Sequence, residues 1–429
     1  MIDRNQHPII LPLEQFDIQV PQRSTLPNGV PLNVLNVGDK EVIRLDLVFE
    51  AGRLMQEKNL VALFTNRMLR EGSGSMTGVQ IAEKLDFYGA WLDLAVSTRF
   101  AYITLYSLSK YLEPVLQVLE KVVKEPLFPE NELNIIAQTN LQQFLISQSR
   151  TDFLAQRSFM RAVYGKEHPF GKWVQADDYQ RITPQVLHDF YERFYYSGNC
   201  MIFLSGKVTD ACIRLVERSF GEKPFGIQEG KPRQREYISE TSMSKRFFVE
   251  QPHAPQSTIR MGNLTIGCHH PDFCKMRVML TLFGGYFGSR LMSNIREEKG
   301  YTYGISAGLL PYPDECLLMI NADTATEYVE SLIAEVYHEI DKLQQDKVPD
   351  AELDMVKNYM IGTLCRSYES PFSLADAWIY LENLGFPDSH FRENTQAIKD
   401  VTTDEIRELS RRYLCKENLK EVVSGKKMS

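Results

Sequence analysis

The chain says one long thing twice. Phe128-Pro-Glu-Asn-Glu-Leu133 returns as Val348-Pro-Asp-Ala-Glu-Leu353, an offset of 220. Ile182-Thr-Pro-Gln-Val-Leu187 returns as Val401-Thr-Thr-Asp-Glu-Ile406, an offset of 219. Arg193-Phe-Tyr-Tyr-Ser-Gly-Asn199 is answered by Arg412-Tyr-Leu-Cys-Lys-Glu-Asn418, and Ser205-Gly-Lys207 by Ser424-Gly-Lys426, both again at 219. Four matches in one order, at spacings that agree within one residue, define a repeat. A period of half of 429 residues is a duplicated domain rather than a solenoid. Any fold for this chain must therefore be built from two like units.

Each unit shows the same order of local patterns. In the first, apolar alternation over 31–37 and 42–50 marks strands, 60–70 is helical, and 90–108 reads as a hairpin. Helices follow near 111–124 and 130–149. In the second, 275–283 and 290–299 are helical, 301–309 and 316–322 are strands joined by the turn Pro311-Tyr-Pro-Asp314, and helices cover 327–345 and 350–367. The fold class is α+β, a tandem duplication of a mixed sheet packed by helices. We place the first repeat at 1–225 and the second at 245–429. The charged stretch 226–244, with Gly230 and Pro232, is the expected linker.

Composition narrows the function. Hydrophobic residues make up 43% and charged residues 24%, the balance of a globular enzyme rather than a disordered or fibrous chain. Lys and Arg number 48 against 56 Asp and Glu, so the net charge of −8 argues against a nucleic-acid partner. No run of apolar residues is long enough for a membrane span. The opening Met1-Ile-Asp-Arg-Asn-Gln-His-Pro has no signal-peptide pattern. Seven scattered cysteines without a C-x-x-C read as reduced thiols. The expected location is cytoplasmic.

The order of motifs resembles the pitrilysin/insulysin family of zinc peptidases, the inverzincins. It is most similar to the two-repeat members that include mitochondrial processing peptidase and respiratory-complex core subunits. The resemblance runs from Leu26-Pro-Asn-Gly-Val30 to Ser424-Gly-Lys426. In the family, an A-G-x-R turn precedes a helix bearing H-x-x-E-H, whose histidines share a zinc ion while the glutamate polarises water. Here Ala51-Gly-Arg53 is followed by a helix with Leu63, Asn66 and Arg67 at those three positions. Leucine has no lone pair, arginine stays protonated, and asparagine cannot take a proton from water. The family's remote glutamate ligand falls near Gln142-Gln143, and we assign its place to Gln143. The resemblance thus implies a degenerate metal site and no zinc in this chain.

The second repeat keeps another family motif. Gly288-Ser-Arg-Leu-Met-Ser-Asn-Ile-Arg-Glu-Glu-Lys-Gly-Tyr-Thr-Tyr303 resembles the S-R-L…L-R-E-x-x-G-x-x-Y stretch. In the family its Arg and Tyr reach the scissile peptide, where a guanidinium and a phenol can stabilise an oxyanion. Those positions are Arg296 and Tyr303. The same residues also read as a surface arginine and a core tyrosine. Family members further clamp peptide on a sheet edge by strand addition. The matching stretch Gly89-Ala-Trp-Leu-Asp-Leu-Ala-Val-Ser97 offers Asp93, Leu94 and Ala95 as substrate contacts, or an ordinary half-buried strand.

Two rival constellations are weaker. Gly304-Ile-Ser-Ala-Gly308 with Asp323 and His338 satisfies a hydrolase pattern, but Ser306 lies in a strand-like run rather than on a strand-to-helix elbow. His269-His270 with Cys274 reads as a loop. The resemblance implies a zinc-free subunit of a heterodimeric metallopeptidase that handles peptide or unfolded protein substrate. A homologous partner with an intact motif would hold the zinc. A homodimer stays open. The alternative is a non-catalytic structural or assembly protein with the same fold.

Overall fold

A computed structural model describes residues 18–227 and 237–427, so 228–236 of the expected linker lies outside the described residues. The first half runs β1 (Gln22–Thr25), β2 (Pro31–Asn36), β3 (Val42–Phe49), α1 (Val61–Met68), a two-residue pair β4 (Gly72–Ser73) and β5 (Met76–Thr77), α2 (Gly78–Phe87), β6 (Trp91–Val96) and β7 (Ala101–Leu108). Then come α3 (Leu112–Lys124), α4 (Glu130–Ser147), α5 (Thr151–Tyr164), α6 (Ala176–Gln180), α7 (Pro184–Phe194), β8 (Cys200–Gly206) and α8 (Asp210–Phe220). The second half runs β9 (Arg246–Glu250), β10 (Ser257–Ile266), α9 (Phe273–Leu280), β11 (Thr302–Leu310), β12 (Glu315–Thr324), α10 (Val329–Gln345) and α11 (Asp350–Arg366). It closes with α12 (Pro371–Leu384), α13 (His390–Asp400), α14 (Thr403–Tyr413) and β13 (Lys420–Gly425). No helix among the described residues is long and apolar enough to cross a membrane.

The sequence echoes are the punctuation of this repeat. Pro129 and Pro349 open α4 and α11, and their carbonyls accept from the amides of buried Leu133 and Leu353. Thr183 caps α7 by accepting from Val186 N, and Thr402 caps α14 by accepting from Glu405 N. Gly206 and Gly425 end the matching strands where a side chain has no room. A Cβ at Gly206 would come within 2.2 Å of Val42 O, and one at Gly425 within 2.0 Å of Ser257 Oγ.

The sheets repeat the same logic. The first has strand order β1-β2-β8-β3-β7-β6 and the second β11-β12-β10-β13-β9. In each, one parallel pair (β2 with β8, β9 with β13) adjoins an antiparallel run that ends in a free edge strand, β6 or β11.

Both faces of each sheet are buried, and the two halves share that work. Along β3, Ile43, Leu45, Leu47 and Phe49 point into the first half's own core with α1, α3 and α7. The alternate face, with Leu35, Val48 and Phe203, is covered by Leu374, Ala375, Trp378 and Ile379 of α12, which belongs to the second half. The converse holds for the second sheet. Its inner face packs Ile259, Met261, Leu318 and Ile320 with its own helices, while Leu317 and Val422 lie under Ala155, Phe159 and Val163 of α5 from the first half. Each repeat lends one helix to the other.

A charged cluster sits under the exchanged helix. Arg44 and Asp46 occupy the alternate face of β3 and are both buried. Asp46 Oδ1 accepts from Arg44 Nε (3.0 Å) and Nη2 (2.9 Å) and from the Thr104 hydroxyl (2.7 Å). Arg44 Nη2 also reaches Asp376 of α12 at 2.5 Å, and Nη1 donates to the Phe372 carbonyl at 3.1 Å. Asp46 Oδ2, although 2.9 Å from Arg44 Nε, has no bond of acceptable angle. Burial raises the Asp46 pKa, an effect the Arg44 charge opposes. A carboxyl raised in the folded state adds stability at low pH and loses it as pH rises through its folded value. Arg44→Leu should therefore cost about 3–5 kcal/mol at neutral pH by stranding a buried carboxylate. The loss should shrink as pH falls, because a protonated Asp46 is no longer a stranded charge, and urea titrations at neutral and at acidic pH test this. Trp378→Ala, which empties the centre of the same interface, should cost about 3–5 kcal/mol at either pH.

Candidate functional site

Helix α1 is held by its apolar side. Val61, Ala62, Phe64, Thr65 and Met68 are buried, and the helix packs on α7 and on the edge strand β6. Leu60 begins it in the left-handed region at φ 71°, a conformation that costs a branched residue energy. Gln56 Oε1 caps it by accepting from Ala62 N at 3.1 Å.

The three positions of interest face different surroundings. Leu63 is half-buried. Asn66 is fully buried, and its Nδ2 lies 3.3 Å from the Tyr102 carbonyl and 3.4 Å from the Tyr195 hydroxyl. Its Oδ1 has no hydrogen-bond partner. Arg67 is exposed and donates from Nη1 to Asn140 Oδ1 of α4 at 2.6 Å. These groups do not fit a zinc ion: one has no donor atom, one is a neutral amide held inside the core, and one is a cation. Gln143 is exposed on α4. The α4 residue that meets α1 is Asn140, one turn earlier, which the sequence reading missed. Helical spacing groups Asn140 with Gln143, but only packing decides which of them touches the neighbour.

In the second half, the segment expected as a short helix over 290–299 is wider than an α-helix. Met292–Glu298 is π-helical, and Lys299 N reaches back five residues to Asn294 O at 3.0 Å. It is anchored at several points. Arg290 forms a two-pronged pair with Glu352 of α11 (2.8 and 2.9 Å). Buried Asn294 donates to Glu335 (3.0 Å) and Glu339 (2.7 Å) of α10, and Met292 and Ile295 enter the core. Arg296 is left partly exposed, with its guanidinium 4.4 Å from the centre of the exposed Phe287 ring and 3.9 Å from Glu297.

Tyr303 lies just beyond. Gly300, at φ 68°, turns the chain, and Thr302 ties the new strand by donating to Asp323 O at 2.6 Å. The β11–β12 register then slips between Thr302 and Ile305. Tyr303 stands in that irregularity at 92% exposure, so it is no core tyrosine. Its hydroxyl makes no hydrogen bond among the described residues.

Asp93, Leu94 and Ala95 lie on β6, opposite Thr104, Ile103 and Tyr102. Asp93 and Ala95 are exposed and Leu94 is half-buried against the core. Strand β6 pairs on one side only, so the backbone groups of its other edge have no strand partner.

The rival sets are not assembled. Ser306 faces Asn321 inside β11 with no helix after it, Asp323 accepts from Thr258 (2.5 Å), and His338 stands exposed on α10. His269 Nε2 is 2.9 Å from the Leu384 carbonyl, and His270 Nδ1 accepts from Asp272 N (3.0 Å) in a turn. Burial raises the Cys274 thiol pKa, which disfavours the thiolate that a metal needs.

Two measurements follow from this geometry. After incubation with excess zinc and desalting, the purified chain should carry far less than one equivalent by elemental analysis; stoichiometric zinc would contradict the assignment of α1. Asn66→Ala should lower stability in urea by about 1–3 kcal/mol, because it leaves the buried Tyr195 hydroxyl without its amide partner.

Known proteins bear on this arrangement. A family model described as "Peptidase M16 inactive domain" matches residues 181–360, straddling both halves. An uncharacterized zinc protease of Rickettsia felis is 25% identical over 83% of this chain and 84% of its own. A Helicobacter pylori protein named non-peptidase homolog YmxG is 24% identical over 74% of each. Among solved structures, a peptidase M16 inactive domain from Pseudomonas fluorescens superposes with a TM-score of 0.83 at 25% identity, covering 95% of this chain and 99% of that one. A Helicobacter pylori protease gives 0.84 at 16% identity, covering 95% and 100%. Two like sheets and these likenesses converge: the chain is similar to M16, or pitrilysin-type, peptidases and their inactive domains, and the residues on its α1 do not suit a zinc ion.

Proposed function

We propose that this chain is the zinc-free subunit of a two-chain M16 peptidase. It would add Arg296 and Tyr303 to the active site of a homologous partner that has the zinc motif. The observation that carries this reading is the exposure of Tyr303. A phenol held 92% in solvent by a bulged edge strand, seven residues after an arginine whose segment is pinned by buried bonds, has little structural work to do. Its hydroxyl and the guanidinium are both donors, suited to a peptide carbonyl that gains negative charge as it is attacked. The free edge of β6 would hold the substrate as an added strand, with main-chain bonds giving affinity and Asp93, Leu94 and Ala95 lining the contact. Peptides or unfolded segments are the class of substrate this serves. Loss of the metal ligands in α1 does not bear on these second-half residues, so the two features fit one role.

The test is cleavage of a quenched fluorescent peptide library by this chain, by a zinc-motif homologue from the same organism, and by the two mixed. Activity is expected only in the mixture. Tyr303→Phe or Arg296→Ala should lower kcat by about 10²–10³ while the complex still elutes as one species. Unchanged activity in both variants would remove Arg296 and Tyr303 from the site. A stable complex without cleavage would leave an assembly role.

A further inference from the structure

Arg67 is one of three arginines gathered around Tyr179 and Trp173. Arg67, Arg157 and Arg161 lie on α1 and α5, and none forms an ion pair with a carboxylate among the described residues. Arg157 is half-buried, with its guanidinium 4.7 Å from the Trp173 ring, 5.2 Å from Phe153 and 5.6 Å from Phe144. Its Nη2 donates to the neutral Val174 carbonyl (2.9 Å). Arg161 lies 3.7 Å from the same Trp173 ring and donates to Gly171 O at 3.3 Å. Two guanidinium groups thus share one indole, an arrangement in which like charges repel. Exposed Glu167 favours the charge of Arg161, and two other carboxylates close by are engaged elsewhere. Asp178 accepts from Asn59 and from Gln175 N, both at 2.8 Å, and Asp152 is bonded to Arg150 at 2.6 Å.

Tyr179 of α6 links this cluster to Arg67. Its ring packs on Phe144 (5.5 Å) and edge-on to Phe64 of α1 (6.2 Å). Burial pushes its phenol up, while the charges of Arg67 and Arg157 both pull it down. Arg67 is also positioned. Asn140 anchors its own amide by donating to Ile136 O (2.7 Å) and presents Oδ1 to Arg67 Nη1 (2.6 Å). Nη1 is the atom thereby engaged. Nε and Nη2 stay available, and that edge of a guanidinium accepts a carboxylate through two parallel bonds. Helix α1 packs on β6, the strand whose outer edge is unpaired.

We propose that the Nε–Nη2 edge of Arg67, set by Asn140 and backed by Tyr179 and Arg157, binds a carboxylate of an extended polypeptide. The carboxylate would be an acidic side chain or the C-terminus. The site belongs to this chain alone, so its test is independent of any partner, and either reading can fail without the other.

The experiment uses fluorescence anisotropy with three fluorescein-labelled Thr/Val-rich decamers and the full chain. One has a central Glu and an amidated end, one a central Gln and a free carboxylate, and one a central Gln and an amidated end. At least one acidic peptide should bind about tenfold tighter than the neutral peptide. Arg67→Gln should erase that preference, and Arg67→Lys should keep only part of it, because an ammonium lacks the planar fork. Arg67 is exposed, so both variants should keep the parent's unfolding midpoint. Which acidic peptide gains tells side chain from C-terminus. Equal binding of all three, binding of none, or an acidic preference that survives Arg67→Gln overturns the proposal.

Discussion

A sheet with apolar residues on both faces must be covered twice, and here the second cover comes from the other repeat. The outer face of the first sheet meets α12 through Trp378, and the outer face of the second meets α5 through Phe159. Hydrophobic burial supplies the attraction. Arg44, Asp46 and Asp376 add register, because three charges under a helix are tolerated only when each finds its partner. The position of everything else follows. Strands β6 and β11 end as equivalent free edges, α1 lies against one, and the anchored π-helical segment lies beside the other.

The two halves have treated equivalent opportunities differently. In the first, the side chains of α1 at Asn66 and Arg67 are taken up by packing: Asn66 is enclosed with Tyr195, and Arg67 is bonded to Asn140. A neutral amide can be enclosed at modest cost, whereas a glutamate in the same place would need a cation or a proton. In the second, Arg290, Asn294, Met292 and Ile295 hold the backbone so that Arg296 and Tyr303 project outward. Buried bonds there serve exposed groups.

Much of this was legible in the sequence, for definite reasons. The duplication shows because helix caps and strand-ending glycines are dictated locally: Thr183 and Thr402 cap, Gly206 and Gly425 have no room for a side chain. The strands and most helices follow from alternation and spacing. The lent helices do not. Residues 371–384 read PFSLADAWIYLENL, with apolar residues on every side, and no periodicity says which sheet they cover. The contact between Arg67 and Asn140, in place of one to Gln143, depends on how α4 is rotated against α1. The π-helical widening of Met292–Glu298 has no pattern of its own, since it arises from anchors on two other helices.

Because each repeat carries part of the other's core, neither can change alone. A substitution in α12 is felt by β2 and β8, more than 160 positions away in sequence, and one in α5 by β10 and β13. The exchange is reciprocal in the way that two protomers of a two-fold dimer trade identical elements, each giving what it receives. The duplicated chain has the contacts of such a dimer with the two copies made permanently dissimilar. That dissimilarity lets one half close its helix α1 around a buried amide while the other holds an arginine and a tyrosine toward solvent, with both still folded around each other.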